Sequence, residues 1–181
     1  MPRPLVLLLA LVALTLTPAS TVAQTMDAAA LPRNINVPDV YAQWIEALIA
    51  RSPTLQRQCA LIAAADRVLV QLSSGPRTSP FSRARTTFTR DHSGLRADVF
   101  VPVSSDFAEL LAHELEHVIE QIEGLNLRRL ARHRQSGVRR IGNNAFETAR
   151  ASDAGLAAAG EIWACSGAEC GARVVVVASK D

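Results

Sequence analysis

The sequence predicts an α+β fold, and three observations predict it. Two helical stretches with apolar residues at three- and four-residue spacing lie in the first third, from Pro38 to about Ala65. A β-branched run and two alternating runs follow, between Arg67 and Val101. A long amphipathic run then spans Ser105 to Glu123, and an alanine-rich helical stretch comes after it. Strands grouped between helices suit a small, mostly antiparallel sheet rather than alternating βαβ units.

The chain has 181 residues, enough for one domain with a real core. Nineteen Lys and Arg stand against seventeen Asp and Glu, so total charge suggests neither a nucleic-acid partner nor an anionic membrane. Residues 1–23 read as a signal peptide. Arg3 is a short basic region, Leu5 to Leu16 is apolar, Pro18 breaks it, and Thr21-Val22-Ala23 precedes a cut near Ala23. The mature chain is then secreted or periplasmic. It has no further segment to insert stably in a membrane.

Residues 24–37 read as a linker, and residues 38–181 as a single domain. Pro38-Asp39 opens a helix through about Arg51, with Tyr41, Trp44, Ile45, Leu48 and Ile49 on one side. Ser52 followed by Pro53 is an N-cap with proline at the first helical position, so a second helix runs to about Ala65. Arg67 to Leu72 is a strand, and a loop follows to Ser82. Arg83 to Thr89 and Leu95 to Val101 alternate on either side of Asp91-His92-Ser93-Gly94, which predicts a hairpin.

Asp106 with Glu109 has capping-box spacing at the start of the central helix, and Gly124 stops it. At 100° per residue this helix has three faces. Phe107, Leu111, Leu115, Val118 and Ile122 form a core stripe. Glu109, Glu116, Glu120 and Glu123 form an acidic stripe. His113 and His117 lie at the border. The basic stretch from Leu125 to Arg140 reads as a solvated helix-loop whose arginines offset Glu120 and Glu123, or else as a rim for an acidic substrate. A helix from Ala145 to about Gly160 and a short strand from Arg173 to Ala178 complete the chain. Of the three cysteines, Cys165 and Cys170 make the simplest disulfide, and Cys59 sits in an apolar helical stripe. A bridge from Cys59 to either partner is the alternative.

His113-Glu114-Leu115-Glu116-His117 reads H-E-x-x-H. On a helix, residues four apart share a face, so two imidazoles can close on one metal ion. Glu114 lies beside the open coordination position and can serve as a general base. A third ligand is needed. A metzincin arrangement would require a glycine at position 120 and a histidine at position 123, where this chain has Glu120 and Glu123. Glu147, thirty residues beyond His117, is the leading candidate. It also stands at capping-box spacing from Asn144, so it has a purely structural reading. Glu161 and His133 are the fallbacks.

From about Leu95 to Ala159 the chain resembles the gluzincin metallopeptidases, which have a zincin-like fold. The resemblance rests on the H-E-x-x-H helix and on a downstream helix bearing Glu147. It implies Zn2+ held by His113, His117 and Glu147, with Glu114 as base. It also implies a peptide or protein substrate pairing with the strand Leu95 to Val101. Many gluzincins carry an aspartate four residues after the ligand glutamate, where this chain has Ala151. Asp153 comes two residues later, so no partner is assigned to orient the histidines. His133, Arg150 and Tyr41 are candidates to stabilise an oxyanion. The alternative is a non-catalytic zincin-fold binding module that retains the metal site. A third reading is a plain exported helical protein.

Overall fold

The computed structural model describes residues 31–76 and 84–165. The stretches read from sequence as a signal peptide and as a strand from Arg173 to Ala178, the start of the expected linker, most of the Pro/Ser loop and Cys170 lie outside the described residues. In chain order the elements are β1 (Ile35–Asn36), α1 (Asp39–Arg51), α2 (Pro53–Ala63), β2 (Val68–Gly75), β3 (Arg85–Asp91) and β4 (Gly94–Pro102). They continue with α3 (Phe107–Ile122), α4 (Leu127–Leu130), β5 (Val138–Arg140), β6 (Phe146–Thr148) and α5 (Ala149–Ala164). The class is α+β.

The N-terminal helices begin and end where local chemistry dictates. The Ser52 hydroxyl accepts from Leu55 N–H at 3.1 Å, and Pro53 needs no partner for its nitrogen. The linker reading extends too far, because Ile35 is buried and pairs with Val70 at the edge of the sheet.

The sheet order is β1-β2-β4-β3. It is not mostly antiparallel: β1–β2 and β2–β4 are parallel, and only the β3–β4 hairpin is antiparallel. The α1–α2 crossover returns the chain to the same end of the sheet, which makes β1 and β2 parallel neighbours. The strand Leu95 to Val101 therefore lies inside the sheet, paired on both sides. β3 is the edge strand next to it.

One face of the sheet is buried. Val70, Leu72, Ala97, Val99 and Val101 point towards the helices, while Leu69 and Arg96 on the opposite face are exposed. Each such buried aliphatic side chain is worth roughly 1.5–3 kcal/mol. α3 lies across this face and also packs against α2 and α5, so it is enclosed on several sides. Gly124 ends it with φ +71°, a left-handed conformation that glycine adopts without strain. The Asp106 side chain makes no capping bond at its start.

Close approach of α5 to α3 depends on small residues. Ala151, Ala154, Gly155 and Ala158 are buried along one stripe of α5. A Cβ placed on Gly155 would stand 2.9 Å from the Glu109 carbonyl oxygen and 3.5 Å from the Cβ of His113. Gly155 thus sets the separation between the helix that carries the histidines and the helix that follows Glu147.

Candidate metal centre

His113 and His117 stand on one face of α3, with ring centroids 4.9 Å apart and planes nearly perpendicular. Glu147 meets them from β6. It is not on a helix: Phe146–Thr148 pairs with Val138–Arg140, and Glu147 stands opposite Arg139. The helix begins after Thr148, whose extended backbone and hydroxyl cap it by accepting from Ala151 N–H at 3.0 Å. The capping-box reading of Glu147 with Asn144 is therefore excluded.

Donor atoms from His113, His117 and Glu147 all lie within 4.8 Å of one another, close enough for one metal ion to reach all three. Glu147 Oε1 is 2.8 Å from His113 Nε2 and 3.9 Å from His117 Nε2. Glu147 Oε1 is buried, and the two imidazoles are its neighbours, neither of them in good hydrogen-bond geometry. A cation between these three groups would satisfy the buried acceptor better than either ring does. The close contact with His113, above all, holds the Glu147 carboxyl below the usual range.

The ring of His117 is fixed from behind. Its Nδ1 lies 2.8 Å from Glu120 Oε2. A carboxylate only accepts, so Nδ1 carries the proton and Nε2 presents its lone pair towards Glu147. Burial opposes the charged form of this ring, but the Glu120 contacts outweigh it and raise its pKa. Glu120 is itself fully buried, and Thr148 Oγ1 donates to its other oxygen at 2.6 Å. Thr148 is the residue after Glu147. One carboxylate therefore ties His117 on α3 to the end of the strand that carries Glu147.

Glu114 is buried towards the sheet. Thr86 Oγ1 on β3 donates to its Oε2 at 2.6 Å. Burial raises its pKa, and the Thr86 bond and the two histidines offset this only in part.

Of the acidic stripe of α3, Glu116 and Glu120 are buried, whereas Glu123 is exposed. Glu116 is buried and receives Arg57 Nη2 at 2.6 Å, Gln58 Nε2 at 2.7 Å and Arg150 Nε at 2.6 Å. Burial works against its charge, but these three donors prevail and lower its pKa. Arg150 also pairs with Glu123. The arginines between Leu125 and Arg140 do not serve these glutamates. α5 covers this side of α3 and supplies Arg150 in their place.

The fallback ligands are elsewhere. Glu161 accepts from Ser52 and Thr54 at the start of α2, and His133 is exposed beyond α4. Asp153 is exposed, and the histidine that a carboxylate does hold from behind is His117, by Glu120. Of the oxyanion candidates, Arg150 is committed to Glu116 and Glu123, and Tyr41 packs against the core from α1. Cys59 is a buried free thiol, pushed up to about 11 by burial, which suits packing and not nucleophilic attack. Cys165 is disulfide-bonded.

Sequence reasoning missed Glu120, Thr148, Thr86 and Gln58. Only Glu120 carried a usable signal, its i+3 spacing from His117. The chain matches no protein-family model, no curated protein and no solved structure.

Proposed function

We propose that this protein is an exported zinc-dependent peptidase of gluzincin build. The observation that carries the reading is the convergence of donor atoms from His113, His117 and Glu147 at a buried carboxylate oxygen, with Glu114 on the same helix. Two imidazoles and one carboxylate, with a carboxylate behind one imidazole, form a donor set suited to catalytic zinc. Zinc bound there would polarise the scissile carbonyl and lower the pKa of water.

The chain's own residues supply the rest. Thr86 occupies one oxygen of Glu114, which leaves the other to accept a proton from the attacking water. The raised pKa of Glu114 helps it hold that proton until it is passed to the leaving amine. β3, which carries Thr86 and is an edge strand among the described residues, offers its outer side to an extended peptide, and this replaces Leu95 to Val101 as the pairing strand. Export is supported by the disulfide at Cys165, a bond of oxidising compartments. Among the described residues no helix is long and apolar enough to cross a membrane.

One observation favours the alternative of a metal-retaining binding module. Neither Arg150 nor Tyr41 makes a hydrogen bond or ion pair with His113, His117, Glu114 or Glu147 among the described residues. The test is direct. Purified protein should bind close to one zinc per chain by metal analysis, and Glu147→Ala should weaken zinc binding at least about tenfold. Absence of zinc, or unchanged affinity in the variant, would overturn the site. Zinc without hydrolysis of any member of a peptide library would select the binding module.

A further inference from the structure

A cavity of about 850 Å³ runs along β3 and the C-terminal end of α3. Thr86, which holds Glu114, and Phe146, which precedes Glu147, both line it. A second cavity of about 420 Å³ adjoins it and shares Arg128 and Phe146. Together they are lined by four arginines, Arg90, Arg128, Arg132 and Arg140, and by no acidic side chain.

These arginines have no anionic partner among the described residues. Arg90 donates to the Gln121 carbonyl at 3.0 Å, and Arg128 to the Asn144 amide oxygen at 2.6 Å. Arg140 donates to the carbonyls of Gly142 and Asn143. Neutral acceptors orient a guanidinium without cancelling its charge. The nearby glutamates of α3 are not available either. Glu116 and Glu123 are paired with Arg150, and Glu120 is enclosed by His117 and Thr148. The basic connector thus leaves its charge directed into a hollow beside the metal centre. Such a hollow attracts carboxylates and selects against cationic ligands.

We infer that this double cavity is the specificity site for an acidic peptide, whose carboxylates are received by Arg128, Arg132, Arg90 and Arg140 while its backbone lies along β3. The inference rests on reading the His113–His117–Glu147 group as a peptide-hydrolysing centre, but its test does not require hydrolysis. The full-length Glu114→Gln protein, loaded with zinc, is titrated into fluorescent alanine-based octapeptides. One carries three glutamates, one carries glutamines in their place, and both are C-terminally amidated. A third carries the glutamines and a free C-terminal carboxylate.

The glutamate peptide should bind about fivefold to tenfold more tightly than its glutamine counterpart, and the preference should shrink as salt rises. If the third peptide is favoured instead, the carboxylate received is that of a chain end, and the assignment to an anionic peptide stands. Combining Arg128→Gln and Arg132→Gln should remove the preference, weakening the glutamate peptide more than the glutamine peptide. Arg96→Gln, on the far face of the sheet, should leave the preference intact. Equal affinity for all three peptides overturns the inference. So does displacement by a single-stranded oligonucleotide at lower concentration than by the glutamate peptide. If the preference is present and no peptide is ever cleaved, the peptidase reading fails and the specificity site remains.

Discussion

Glu114 and Glu116 stand two residues apart on α3, and both are buried, yet the two flanks of the helix treat them in opposite ways. On the sheet side Glu114 receives a single hydroxyl, from Thr86. Burial dominates, and its pKa rises. On the α2 and α5 side Glu116 receives two guanidinium groups and an amide, and its pKa falls. A carboxylate braced by three donors has no reason to accept a proton. A carboxylate left with one hydroxyl in a dry setting has a strong one. The proposed proton acceptor and the structural brace are thus separated by about half a turn of a single helix.

That contrast can be broken from either side. Glu114→Gln removes the proton acceptor but keeps the shape and the Thr86 contact. It should retain zinc and thermal stability while hydrolysis of a peptide substrate falls by about 10² to 10⁴-fold. Equal turnover in the variant would remove Glu114 from the chemistry. Glu116→Ala should act through folding. It strips a buried anion from Arg57, Gln58 and Arg150, and breaking a buried pair costs about 3–5 kcal/mol. Both arginines are partly exposed, with side-chain exposures of 47% and 38%, so they rehydrate and the lower end of that range applies. Urea unfolding measures it. A loss below about 1 kcal/mol would mean that the brace is ornamental.

What the sequence disclosed follows the reach of the interactions. α1 and α2 were legible because Pro38, Ser52 and Pro53 act within a few residues of themselves. The β3–β4 hairpin was legible because alternation and a tight turn are local. The histidine pair was legible because a helix converts i,i+4 spacing into adjacency. The faces of α3 were not legible, because burial of Glu116 and Glu120 depends on α5, about thirty residues away. The clue was the Ala151, Ala154, Gly155 and Ala158 stripe, a small-residue face that fits closely against another helix. Glu147 was placed at the right point in space on the wrong element. The sequence 145–148 has helical composition, but Thr148 caps the helix after it and the β5 ladder holds 146–148 extended. The parallel β2–β4 pairing depends on the path of the whole chain and leaves no local mark.

Glu120 sharpens the comparison, because it braces α3 against Thr148 and holds His117 of the candidate metal centre at once. Glu120→Gln keeps one acceptor oxygen, enough for His117 Nδ1, turns an amide NH2 towards the Thr148 hydroxyl, and removes the charge. Changes behind a ligating histidine cost about 10–100-fold in metal affinity, and this conservative one should sit near tenfold. The size of the loss should depend on pH, and its sign follows from His117. Zinc needs the neutral ring. Glu120 raises the pKa of that ring, so in the native protein proton competition begins above the ordinary imidazole value of about 6.5 and deepens as pH falls. Without the Glu120 charge the ring loses its proton at lower pH. The variant therefore suffers competition later. The affinity gap should be widest on the alkaline side and narrow as pH drops towards 6, as read by zinc titration against a calibrated chelator. A gap that widens on acidification would mean that Glu120 acts on Glu147 through Thr148, and not on the proton of His117.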